Sequence, residues 1–146
     1  MKLHVSSRLA IFALLELAAR PEQQLSVAEI GEKYGVSSHH LAKVMHVLGR
    51  AGLVRSARGA GGGYQFSGNA RRMTLLDVIL LFETLESQNH DPAVGELSEE
   101  GHALREVMSE IDDIIRATLG SITIATLHKL VRRQRERRPR RTAAAS

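Results

Sequence analysis

Leu41, Val44, Met45 and Leu48 recur at i, i+3, i+4 and i+7. That spacing puts four apolar side chains on one face of a helix. His39, Lys43, His46 and Arg50 fall on the opposite face. Ser37 or Ser38 caps this helix, which the pattern carries to about Ala51, where Gly52 stops it. Just upstream, Ser26 and Glu29 make a Ser-x-x-Glu capping box opening a short helix that ends near Tyr34. Gly35 suits the left-handed residue after a helix end, and Val36 suits a core plug at the corner. Further upstream, Ser6 or Ser7 caps a helix over residues 8–20, with Leu9, Phe12, Ala13 and Leu17 inward and Pro21 as its stop.

After the polar-faced helix the period changes. Residues 53–57 and 64–67 read as two short strands, with Arg58-Gly59-Ala60-Gly61-Gly62-Gly63 between them. Thr74 and Asp77 resemble a second capping box, and residues 75–85 are apolar nearly all round, which predicts a buried helix. Residues 86–98 are polar and carry Pro and Gly, so they read as a loop. The longest helical pattern covers 99–119, where Leu104, Met108, Ile111 and Ile115 recur at spacings of four, three and four. A seam of that kind pairs with a partner helix. Gly120-Ser121 breaks it, and a last helix over 122–132 is expected to pack Ile124, Leu127 and Leu130.

These elements predict a mainly α fold: a winged helix-turn-helix with a small two-stranded wing, followed by a long C-terminal dimerisation helix. The expected division is a DNA-binding domain over 1–85, a loop over 86–98, the dimerisation and final helices over 99–132, and a basic, disordered tail over 133–146.

Charge sharpens this picture. Residues 1–73 hold ten Lys/Arg against four Asp/Glu, residues 74–131 three against eleven, and residues 132–146 seven against one. A basic front half suits a polyanion and an acidic second half does not. Aromatic residues make up only 3%, so the core is built from Leu, Ile, Val, Ala and Met. The apolar run over 9–19 is interrupted by Glu16 and ended by Arg20-Pro21, unlike a signal peptide. No run reaches the ~18 apolar residues a bilayer span needs. The expected location is the cytoplasm.

A short turn between two helices, the second with a basic outer stripe, can bury one side and offer donors to DNA from the other. The glycines after Arg58 permit positive φ and close approach to another backbone. A lone arginine beside them can enter a narrow minor groove, where negative potential is high. A nucleotide-phosphate loop competes poorly, since no Lys-Ser/Thr follows the glycines and no helix opens directly after them. No nucleophile–base set or paired carboxylates suggest an enzyme.

At the recognition helix and wing the chain resembles the Rrf-two type regulators, the IscR/NsrR/CymR family. The resemblance rests on Gly35-Val36-Ser37, on Arg50-Ala51-Gly52-Leu53-Val54, and above all on Arg58-Gly59 followed by Gly61-Gly62-Gly63-Tyr64. Met73-Thr74-Leu75-Leu76-Asp77-Val78-Ile79 and Ile122-Thr123-Ile124-Ala125-Thr126-Leu127 extend it over about residues 1–131. It implies a homodimeric transcriptional regulator, most often a repressor, reading a palindromic operator. Each subunit would place recognition helix 37–51 in the major groove and Arg58 in the minor groove. The implied DNA-binding residues are Ser37, Ser38, His39, His40, Lys43, Arg50, Arg58, Gly59, Gly61, Gly62 and Tyr64. The implied dimer seam is Leu104, Met108, Ile111 and Ile115.

Cluster-bearing members of that family carry three cysteines in the loop matching about 89–101, and this chain has no cysteine. Glu99 stands where the last of them is expected, and His102 resembles the histidine that completes the site. Without thiolates an iron–sulfur cluster is not expected. His90 and His102, with Asp91, Glu96 and Glu99 nearby, remain candidates for a metal or haem. The main expectation is a cofactor-free sensor answering to a small ligand or a regulatory protein. Such a ligand could sit beside the apolar stretch 75–85. An alternative is a winged-helix protein–protein module controlled by a partner protein.

Overall fold

The computed structural model describes residues 1–58, 62–85 and 94–138. In chain order they form α1 (Val5–Ala19), α2 (Val27–Tyr34), α3 (Ser38–Arg50), β1 (Val54–Ala57), β2 (Gly63–Phe66), α4 (Leu75–Ile79), α5 (Glu99–Ser121) and α6 (Ile124–Arg137). The fold is mainly α, with one small antiparallel sheet, as the sequence pattern predicts. Among the described residues no helix is long and apolar enough to cross a membrane.

The centre of the fold follows its local signals closely. The Glu29 amide donates to Ser26 Oγ at 3.1 Å, and the Ser26 amide donates to Glu29 Oε2 at 2.7 Å. This reciprocal pair satisfies two amides that have no partner inside the helix. Gly35 ends α2 at φ 66°, ψ 36°, left-handed backbone that glycine adopts without penalty. The chain then turns, and the Val36 amide returns to the Gly31 carbonyl at 2.9 Å. Ser37 caps α3 by accepting from the His40 amide. The predicted inward residues Leu41, Val44, Met45 and Leu48 are all buried, with Leu14 and Leu17 of α1.

The first helix begins earlier than expected. Ser6 and Ser7 lie inside α1, and His4, at the cap position, makes no side-chain cap. The cap comes from far along the chain. Glu83 Oε2 accepts from the His4 amide at 2.9 Å and from the buried Ser7 hydroxyl at 2.5 Å. A carboxylate there meets the positive end of the helix dipole.

That demand bears on a second correction. Residues 75–85 do not form one buried helix. The capping box of Thr74 and Asp77 is present, but α4 lasts only to Ile79. Past it, the Leu81 and Phe82 amides bond three residues back, to Val78 and Ile79. These tighter turns bring Glu83 to the start of α1. Val78 and Ile79 are buried, whereas Leu80 and Leu81 are exposed.

In the wing, β1 and β2 pair antiparallel from Val54↔Phe66 to Ala57↔Gly63. Tyr64 also exchanges both backbone bonds with Leu25, each at 2.9 Å, which ties the wing to the segment before α2. The C-terminal part is stitched on in the same way: the Leu75 amide bonds to Ile122 and the Ile124 amide to Met73, both at 2.8 Å.

Thr123 caps α6, whose Ile124 enters the core. Leu127 and Val131 are the apolar residues of α6 that pack against that core, while Leu130 is exposed, so the expected inward residue is replaced by its neighbour. The helix also runs to Arg137, past the expected end at 132, consistent with the helix propensity of Arg, Gln and Glu. The tail assignment beyond 138 lies outside the described residues.

Candidate nucleic-acid interface

The burial of Leu41, Val44, Met45 and Leu48 fixes the roll of α3. Ser38, His39, Lys43, His46 and Arg50 are therefore left exposed on its outer side. No acidic residue occurs anywhere in α3. The face consequently carries donors and positive charge with no internal counterion, which suits a polyanion.

Two of the sequence candidates have prior engagements. The Ser37 hydroxyl oxygen accepts the His40 amide at 3.2 Å, so its main local task is the cap. His40 is half-buried, and its Nε2 lies 3.3 Å from Ser6 Oγ on α1. The ring is thus held against the body of the domain. His39 and Lys43, one turn apart, are the more available pair at the amino half of the helix.

The wing stands beside the carboxyl half of α3. Arg58 is exposed at the end of the described part of β1's side of the hairpin. Gly59 and Gly61 lie outside the described residues, while Gly62 is exposed with φ 54°. Gly63 has φ 155°, and a Cβ there would meet the Leu25 carbonyl oxygen at 2.8 Å. Glycine is required at that position both by conformation and by space. Tyr64 is half-buried and packs against the core, so it anchors the wing at its base.

Sequence reasoning did not single out Arg55. It is exposed on β1, where its Nη2 donates to Gln65 Oε1 on β2 at 3.1 Å, and the Gln65 amide in turn donates to the Pro21 carbonyl at 2.9 Å. Arg55 shares a shallow groove of about 340 Å³ with His46, Arg50 and Tyr64, between α3 and the wing. The available signal was strand alternation, since Val54 faces in and Arg55 must then face out.

The C-terminal candidates divide. Leu104, Met108 and Ile111 are exposed along α5 and Ile115 is partly covered; no residue of α5 is buried. His102 is exposed in the first turn of α5, and His90 and Asp91 lie outside the described residues. Glu96 pairs with Arg105. Among the described residues, no three His, Cys, Asp or Glu side chains come together as a metal site. The donor set of Glu99 and His102 on one exposed helical turn does not fit an iron–sulfur cluster, whose irons need thiolate ligation.

The family model for Rrf2, described as an iron-dependent transcriptional regulator, matches residues 3–130. The chain is 44% identical over 147 residues to BadM of Rhodopseudomonas palustris, provisionally an HTH-type transcriptional regulator, across 99% of this chain and 94% of that one. Among solved structures it is similar to CymR, the global cysteine regulator of B. subtilis, with TM-score 0.75 and 29% identity over 89% of this chain and 98% of that one. It is also similar to T. potens IscR, with TM-score 0.71 and 27% identity over 90% and 88%. These relatives are transcriptional regulators rather than enzymes. The match over nearly the whole chain and the winged helix-turn-helix with its basic recognition face show that this chain belongs to the Rrf2 family of DNA-binding transcriptional regulators.

Proposed function

We propose that the protein acts in the cytoplasm as a homodimeric repressor that reads a palindromic operator. The carrying observation is the acid-free outer face of α3, with His39, Lys43, His46 and Arg50 exposed beside the wing arginines. In this reading α3 enters the major groove and its amino half, Ser38, His39 and Lys43, reaches base edges. Arg58 enters the adjacent minor groove, and Arg50 and Arg55 contact phosphate. The exposed apolar stripe of α5 packs against its copy in a second chain. The two-fold axis then sets half-sites about one helical turn, ~34 Å, apart. A dimer seated on a promoter represses by occupying the polymerase's site.

The test is a gel-shift titration on the promoter of the protein's own gene against shuffled DNA of the same length. Preferential binding with a two-fold symmetric footprint is the expected result. Equal affinity for both fragments overturns sequence-specific reading and favours a module that works through a partner protein.

A further inference from the structure

With α1 and the end of α2, α6 encloses a groove of about 490 Å³. Phe12 and Leu15 of α1 and Val131 of α6 line its apolar side. Phe12 stacks on Tyr34, with ring centroids 4.9 Å apart and 14° between planes. His128, Arg135 and Arg138 line the rim.

The charges of this groove do not balance. Glu16, on its floor, is already matched: it accepts from Lys33 and, at 2.6 Å, from the Tyr34 hydroxyl, and Arg20 lies 3.6 Å away. Among the described residues no carboxylate lies within ion-pair distance of Arg135 or Arg138. Two guanidinium groups beside an apolar trough of this volume suit a ligand with one anionic end and an apolar body.

We propose that this groove binds a small organic anion and that its occupancy alters DNA binding; the second clause rests on the reading given under Proposed function. The coupling follows from connectivity. Tyr34 is the last residue of α2, and Gly35-Val36 follow it directly into α3. α6 continues from α5 through Ile122 and Thr123. A ligand that engages Arg135 while packing on Phe12 and Tyr34 fixes the long helix relative to the helix-turn-helix. It shifts operator affinity by as much as its own affinity differs between the two arrangements.

The probe is anilinonaphthalene sulfonate, an apolar ring system with one sulfonate, titrated into the full-length protein without DNA. One dye per chain should bind, displaced by octanoate and not by octanol or inorganic phosphate. Val131→Phe, which fills the trough, and Arg135→Glu, which reverses the rim charge, should each weaken binding at least tenfold while circular dichroism melts stay cooperative. Lys129→Ala, an exposed cation of α6 that does not line the groove, should leave dye binding unchanged. Dye binding that survives both groove variants, or that is lost in Lys129→Ala, overturns the site. Displacement by inorganic phosphate as well as by octanoate overturns the organic-anion assignment. On a bound promoter fragment, octanoate should change affinity several-fold for the wild type and not for Arg135→Glu. No change for the wild type overturns the coupling. Failure of the promoter to bind at all counts against the DNA reading, while the dye titration still decides the site.

Discussion

Glu16 shows how one side chain can join two elements. Burial works to raise its pKa, but the hydrogen bonds from Lys33 and Tyr34, with the charges of Lys33 and Arg20, outweigh it and hold the carboxyl below its ordinary value. Burial, with the bond to the Glu16 carboxylate and its charge, drives the Tyr34 phenol the other way, far above its usual range. A carboxyl whose folded pKa is depressed stabilises the fold above its unfolded pKa, and that contribution fades as pH falls toward the folded value. Glu16→Gln should therefore lower stability at pH 7 by about 1–3 kcal/mol, the scale of charge-assisted hydrogen bonds. Urea melts at pH 7 and near pH 3 check this: the gap between wild type and variant should narrow at the lower pH. An equal gap at both would mean the loss comes from packing instead. If Lys43 reads a base as proposed, Lys43→Ala should cost roughly 1–3 kcal/mol at one base position. Arg58→Ala should instead weaken the operator with little change in site preference and flatten the dependence on salt. Titrations over a series of single-base operator variants and salt concentrations separate the two. A Lys43→Ala protein with unaltered preference would remove that side chain from base reading.

The wing is an element whose shape depends on one residue without a side chain. Gly63 opens β2 at φ 155°, with the Leu25 carbonyl where a Cβ would sit, while its neighbour Tyr64 makes the two bonds that hold the wing to Leu25. Gly63→Val should break that junction, since it places a branched side chain in disfavoured backbone and against a carbonyl. We expect a loss of about 1–3 kcal/mol in chemical denaturation together with weakened operator binding, because the wing carries Arg58. Normal stability with normal binding would show that the wing adjusts freely. The contrast between elements also explains what the sequence disclosed. The α2–turn–α3 unit was legible because its determinants are neighbours: Ser26 with Glu29, Gly35 after Tyr34, Ser37 before His40, and a four-residue apolar stripe. The start of α1 was not, because its cap is Glu83, which lies 79 residues beyond His4. The stretch 75–85 misled for a different reason. An apolar run does not specify helix length: α4 ends at Ile79, the Leu81 and Phe82 amides bond three residues back, and Leu80 and Leu81 are left exposed. Arg55 was overlooked although alternation after the inward Val54 turns it outward, and the α6 groove appears only when three separated helices meet.

At the scale of the whole molecule, α5 is the feature that a single chain leaves unresolved. It is 23 residues long, none of them buried, and Leu104, Val107, Met108, Ile111 and Ile114 are each exposed by 42–63%. An isolated helix with such a stripe gains little from its own propensity and much from a partner that covers it. Under the proposed function the two halves of the chain depend on each other: one recognition helix would read half a site, and α5 would supply the second copy that completes it. Ile111→Asp, central in the stripe, puts a charge where two copies would meet. Burying it unpaired costs enough to shift a dimer to monomer at micromolar concentration. Light scattering should give the mass of two chains for the wild type and of one chain for the variant. The monomer should keep the circular dichroism of a folded helix-turn-helix, whose core is closed within one chain, and lose most operator affinity because the second half-site is no longer tethered. A wild-type protein that scatters as one chain would remove the two-fold geometry from the mechanism, and an Ile111→Asp dimer would move the interface off this stripe.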